Sequence, residues 1–291
     1  MGSPGAMTDE QRIIYENQGF LHMPGAIPPR LVRALRAAFD EAAAEQFERW
    51  RADAAAGRAD RAFFDVPNVL DRGDCFVDLV DLPTVFPVLL DAVGPDIQLN
   101  HTHARVFPPG KTFTAPWHSD LANVVGIDLA HSPHFFVKVH FYFEDLRPDQ
   151  GCLAFLPGTH RLPAGYPRPA IDADGHSPAA VRIVPQAGDA VLFNTHVLHM
   201  ALDNTSPLPR KSLIYAYSHT WVKNYANAIP TDLERYATTH LRRQLFGMEE
   251  EGVSFFDQRY DANIAPAHYG SFHSASLRVL RRLRRATSIT R

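Results

Sequence analysis

At 291 residues, 45% of them hydrophobic and 21% charged, the chain can bury one large core or two small ones and has an ordinary globular make-up. A formal net charge of −3 offers no basic footprint for nucleic acid, and no apolar run approaches the roughly 18 residues that read as a membrane span. Two cysteines, Cys75 and Cys152, make no secreted disulfide framework, so a soluble protein in a reducing, cytoplasmic setting is expected, as a monomer or homodimer.

Residues 1–7 read as a vector remnant ahead of a native Met7. The first regular element is expected after Ile27-Pro28-Pro29, because proline favours the first turn of a helix. Leu31, Leu35, Ala38, Phe39, Ala42 and Phe47 recur at three- and four-residue steps, which predicts an amphipathic helix over 29–50. A shorter helix is expected over 83–93, stopped by Gly94-Pro95. Strand signals then dominate: 97–107, 134–143, 152–156, 181–184, 190–193 and 211–217, broken by Pro108-Pro109-Gly110, Pro148 to Gly151, Pro157-Gly158 and Gly188-Asp189. A helix is predicted over 231–246 ahead of Gly247. A basic amphipathic helix is predicted over 276–285, a solvated terminal element rather than a membrane-surface one. Many short strands after a helical opening predict a mostly β fold with flanking helices, most naturally a jelly roll. One domain is expected over 8–291, with a helical part at 8–95, a β core at 96–220 and a helical or lid extension at 221–291.

Two stretches carry chemistry. In Pro116-Trp-His-Ser-Asp120 the imidazole of His118 and the carboxylate of Asp120 are two residues apart, and on extended backbone they leave the same face. One nitrogen and one oxygen ligand are two-thirds of a facial triad, which leaves open positions on iron(II). Alone the pair is a common pattern, and its weight depends on a second histidine. The run from Gly188 to Ser212 delivers two, His196 and His199, and then Arg210 with Ser212 two residues on. A guanidinium forks onto a carboxylate, so the Arg-x-Ser pair suits the far end of a keto-diacid whose near end chelates the metal.

Tyr15-Glu-Asn-Gln-Gly-Phe-Leu, Pro24-Gly-Ala-Ile, Trp117-His-Ser-Asp120, the segment from Phe143 to Arg161 with Pro157-Gly-Thr-His160, and His199 with Asn204, Ser206 and Arg210 follow in an order and spacing that resembles the phytanoyl-CoA dioxygenase family of iron(II)- and 2-oxoglutarate-dependent oxygenases. The resemblance covers about 12–220. It implies a double-stranded β-helix, iron held by His118, Asp120 and His199, and 2-oxoglutarate anchored by Arg210, with Ser212 as a further carry-over. Arg105, on the strand feeding the metal motif, is a candidate carboxylate contact, and Lys138, on the polar face of 134–143, is a candidate for 2-oxoglutarate or an anionic substrate or else a satisfied polar residue near the rim. It favours His199 over His196 as ligand. His140, Asn123, Trp117 and His196 remain candidates for the substrate pocket, and His160 belongs to a structural turn.

The implied reaction consumes O2 and 2-oxoglutarate, releases succinate and carbon dioxide, and oxidises an unactivated carbon of a small metabolite, plausibly in secondary metabolism. Related halogenases have a small residue where Asp120 stands, so hydroxylation is favoured, with desaturation, cyclisation or epimerisation as alternatives. The rivals are a non-oxygenase metal-binding barrel, which would release no succinate, and a cupin-type isomerase, which would not need Arg210. Substrate selection is expected from 57–75, 121–134, 162–180 and 222–272, outside the shared motifs.

Overall fold

The computed structural model describes residues 7–110, 117–120, 135–163, 166–172 and 176–248. The expectations for residues 1–6, for Asn123 and for the helix at 276–285 lie outside them. Two elements come before the expected first helix. Thr8 caps α1 (Asp9–Gln18) in a capping box with Gln11, and β1 (Phe20–Met23) follows directly. The Thr-x-x-Gln pattern is the sequence signal for that helix. The chain reverses between α1 and β1 at Gly19, whose φ of 85° favours glycine, and a Cβ there would lie 2.5 Å from the His160 ring. That ring is itself buried and held on the Glu16 carbonyl. Gly19→Ala therefore combines left-handed strain of about 1–2 kcal/mol with a clash, and thermal unfolding should start several degrees lower.

The amphipathic helix α2 runs Pro29–Ala55, five residues past its predicted end, because Arg51, Ala52, Ala54 and Ala55 are good helix formers and the break waits for Gly57. Two short helices follow, α3 (Asp74–Val77) and α4 (Phe86–Val93). The predicted helix at 231–246 is two helices, α5 (Leu233–Tyr236) and α6 (His240–Leu245). Thr239 divides them: it is extended, and its hydroxyl accepts from the Arg242 amide as the cap of a new helix.

The predicted strands are all present: β3 (Ile97–Phe107), β4 (Phe136–Phe141), β5 (Leu153–Leu156), β6 (Val181–Ile183), β7 (Ala190–Asn194) and β9 (Arg210–His219). Two more are β2 (Phe64–Val66) and β8 (Leu198–Ala201). Six form an antiparallel sheet in the order β1-β7-β4-β9-β3-β2, and three form a second in the order β6-β5-β8. Strands β1 and β2 come from the part expected to be helical, so the large sheet draws both its edge strands from there.

Alternation along the strands divides the core. Val137, Val139 and Phe141 of β4 and Leu213, Tyr215 and Tyr217 of β9 pack with α2, α3 and α4 on the outer face of the large sheet. The Tyr215 and Tyr217 hydroxyls are buried there as donors to the carbonyls of Phe76 and Val80. The opposite face looks toward the small sheet, where Phe20, Tyr142, Phe155, Val191, Phe193 and Val197 form a second cluster. Helices on one face and a second sheet on the other is the jelly-roll arrangement. The polar residues that matter sit on the inner face.

Candidate active site

The short segment carrying His118 joins the small sheet beyond β8. His118 and His199 pair as an antiparallel bridge with reciprocal amide-to-carbonyl bonds of 3.2 and 3.0 Å. Asp120 donates its amide to the Thr195 carbonyl at 3.0 Å, and the Ser119 hydroxyl donates to the same oxygen at 3.2 Å. Thr159 fixes the other side: its hydroxyl donates to the Leu156 carbonyl and accepts from the Leu198 amide, so the Pro-Gly-Thr-His turn holds the start of β8.

These bonds bring one ligand atom each from His118, Asp120 and His199 within 4.8 Å of one another. The Asp120 Oδ2 is 3.6 Å from His199 Nε2, and its Oδ1 is 3.9 Å from His118 Nε2. His199 Nδ1 lies 2.9 Å from the Val197 carbonyl, which accepts only, so Nδ1 carries the proton and Nε2 presents its lone pair inward. Burial pushes this imidazole down to about 4 against the pull of Asp120, so it is neutral near pH 7, as a metal-binding imidazole must be. Burial alone would raise the Asp120 pKa, but the Lys138 ammonium and the two histidines outweigh it and hold it at about 2. Asp120 Oδ1 takes a 3.0 Å ion pair from Lys138, while its buried Oδ2 has no hydrogen-bond partner among the described residues. Two imidazole lone pairs and an orphaned carboxylate oxygen, converging in a buried site, fit a divalent cation such as iron.

A second group of unsatisfied atoms lies deeper on the inner face. Arg210 and Ser212 are buried on β9, and neither Arg210 Nε nor Ser212 Oγ has a hydrogen-bond partner among the described residues. On β4, the same holds for His140 Nδ1, and the Tyr142 hydroxyl is buried beside the Arg210 guanidinium without a well-formed bond to it. Burial, reinforced by the Arg210 charge, lowers the His140 pKa far enough that the ring stays neutral. No carboxylate pairs with Arg210 among the described residues. A buried cation surrounded by unused donors fits a carboxylate ligand, as the far end of 2-oxoglutarate would supply.

The other expected residues are placed differently. Arg105 is not directed at that cradle: its Nε and Nη2 donate at 2.8 Å to the two oxygens of Asp65, and its guanidinium lies 4.0 Å from the Phe63 ring centroid. Lys138 is at the metal end, on Asp120. Trp117 is half-buried beside His118, and His196 is buried with its amide held by the Asn194 side chain, outside the converging trio. Two histidines absent from the expected set, His101 and His103, share the inner face of β3 with Arg105. The His-x-His-x-Arg alternation in a strand was the available signal.

The chain is similar to several known proteins. The family model described as Phytanoyl-CoA dioxygenase (PhyH) matches residues 15–212. The ectoine dioxygenase of Nocardia farcinica is 24% identical over 254 residues, covering 78% of this chain and 84% of that protein. The peroxisomal phytanoyl-CoA dioxygenase of Homo sapiens is 24% identical over 239 residues, covering 71% and 67%. Among solved structures, HygX from Streptomyces hygroscopicus with nickel and 2-oxoglutarate bound superposes with a TM-score of 0.57 at 19% identity, covering 78% of this chain and 94% of that one. The non-heme alpha ketoglutarate dependent carbocyclase SnoK from nogalamycin biosynthesis gives 0.54 at 20% identity, covering 74% and 85%.

Proposed function

The chain belongs to the phytanoyl-CoA dioxygenase family and is an iron(II)- and 2-oxoglutarate-dependent dioxygenase, and on that premise we propose that His118, Asp120 and His199 hold its iron and that Arg210 anchors its 2-oxoglutarate. With both bound, the site supplies an oxidant able to attack an unactivated C–H bond, with release of succinate and carbon dioxide. The observation that carries the assignment is a pair of polar groups without partners among the described residues: Asp120 Oδ2 beside two inward imidazoles, and the Arg210 guanidinium, which has no counter-ion there.

Each protein group has a distinct task. The Val197 carbonyl fixes the His199 tautomer so that Nε2 stays a ligand. Lys138 satisfies one oxygen of Asp120, so the other would be the one to hold the metal. Ser212, Tyr142 and His140 complete the cradle around the far carboxylate of 2-oxoglutarate. The apolar shell of Phe155 and Phe193, with ring centroids 6.1 and 4.8 Å from His199, keeps water from the ligand side.

Because Asp120 occupies the position that is small in halogenases, the outcome is oxidation of carbon, most simply hydroxylation of a small metabolite in secondary metabolism. No described helix is long and apolar enough to cross a membrane. The two free cysteines fit a reducing cytoplasm. The test is succinate release from 2-oxoglutarate under air. Release should require added iron(II) and stop with chelator, and metal-independent release or none would reject the reading.

A further inference from the structure

The sheet register sets the polar residues of the inner face in rows. Ala216 of β9 pairs with Lys138 on one side and His101 on the other, and Ile214 pairs with His140 and His103 in the same way. The wall formed by β3 thus stands two strands from the metal-side residues, across a floor that is small at Ala216. The His101 ring lies 5.7 Å from the ring of Phe136, which shares its face of β4 with Lys138, so it faces the same space.

The tautomers of this wall can be read from its bonds. The Asn100 amide nitrogen donates to the Lys223 carbonyl, which cannot donate in return, so Asn100 Oδ1 faces His101 Nδ1 at 3.0 Å and accepts its proton. His103 Nδ1 lies 3.2 Å from an Asp65 oxygen, again acceptor-only. Hydrogen bonds from Arg105 and His103 overcome the effect of burial and hold the Asp65 carboxyl well below the usual carboxylate range. Both histidines present an Nδ1 proton to an acceptor, and a ring protonated there alone offers Nε2 as an acceptor. Neither Nε2 has a hydrogen bond among the described residues, and the two rings sit 5.1 Å apart. Burial, with help from Lys138, holds His101 down at about 3, so its lone pair persists through neutral pH. Tyr225 stacks on His101 at 5.3 Å and leaves 61% of its own surface exposed; Trp221, 56% exposed, stacks on His219.

We propose that this wall is the substrate-recognition surface, in which His101 and His103 accept hydrogen bonds from two neighbouring hydroxyl groups of a neutral substrate whose planar or apolar portion lies against Tyr225. The proposal rests on the oxygenase reading above and names the substrate class for it. A carboxylate would meet two lone pairs. The Lys138 and Arg105 charges are matched by Asp120 and Asp65, so an ammonium would find no unpaired carboxylate there among the described residues. A hydroxyl pair has neither difficulty. The wall is not a second metal centre, because Arg105 occupies both Asp65 oxygens, and among the described residues only His118, Asp120 and His199 bring ligand atoms together.

Equilibrium dialysis tests it on protein loaded with nickel(II) and 2-oxoglutarate, using 4-nitrophenyl glucoside, mannoside and galactoside and their fully O-methylated counterparts as probes. At least one glycoside should bind with its methylated form at least about tenfold weaker, the loss of one or two hydrogen bonds. His101→Leu and His103→Leu should each weaken the glycoside by a similar factor, and His101→Gln, which restores an acceptor, should recover part of it. Nickel and 2-oxoglutarate should bind all variants normally. The proposal is overturned if no glycoside binds at millimolar concentration, if methylated probes bind equally well, or if the leucine variants match the parent. Should the leucine variants fail to fold, the comparison of probes on the unmodified protein still decides. If that protein bound neither nickel nor 2-oxoglutarate, the failure would lie with the oxygenase reading instead.

Discussion

Replacing Asp120 with alanine should abolish tight iron binding and iron-dependent succinate release together, each by more than the roughly 10–100-fold typical of outer-shell changes. The variant loses the one anionic ligand of the trio while His118 and His199 remain paired through their backbones. It also strands the Lys138 ammonium, whose side chain is only 15% exposed. Stability should fall by about 1–3 kcal/mol, below the roughly 3–5 kcal/mol of a fully buried pair because both partners keep some contact with water. Adding Lys138→Met to the variant should recover much of that stability and none of the metal affinity. Calorimetric titration with cobalt(II) and thermal unfolding read the two effects separately. Full activity in the alanine variant would end the assignment of Asp120 as a ligand.

Replacing Arg210 with methionine should act in the opposite sense on stability. The half-saturating concentration of 2-oxoglutarate should rise about a hundredfold, since a charge-assisted fork contributes about 3 kcal/mol. Cobalt binding should be unchanged, because no metal-ligating atom is touched. The protein without ligand should unfold at a higher temperature than the parent, since a buried cation with no counter-ion among the described residues is replaced by an apolar chain of similar reach. Arg210→Lys should bind 2-oxoglutarate between the two, because an ammonium keeps the charge and loses the fork. A lowered melting temperature with unaltered 2-oxoglutarate affinity would make Arg210 a structural residue.

The candidate metal site was partly legible because some of its parts are local: His118 and Asp120 are two residues apart, and Arg210 and Ser212 share a strand. The pair alone was a common pattern, and the choice of His199 over His196 came from the family resemblance. The long β3 was readable to the residue, since alternation and the Pro-Pro-Gly stop agree. What spacing could not give was partnership across the fold. Arg105 looks from sequence like a free cation facing the site, yet Asp65, forty residues earlier and on the edge strand β2, takes both its donors. Lys138 likewise becomes the partner of Asp120 only once β4 lies beneath the small sheet. The N-terminal strand β1 was missed because four residues between a helix and a turn carry too little alternation to count.

The junction between α1 and β1 is tied to the loop that carries the histidines. Gly19 accepts from the Asn194 amide, the Gln18 carbonyl from the Gly158 amide, and Glu16 from the His160 ring, so the turn that anchors β8 and the end of β7 both rest on the first twenty residues. The α1–β1 junction is therefore part of the support for the site. A protease that cuts between α1 and β1 would release the scaffold behind His199 and inactivate the enzyme while leaving every ligand in the chain, and bound metal should slow that cut by holding the same loop closed.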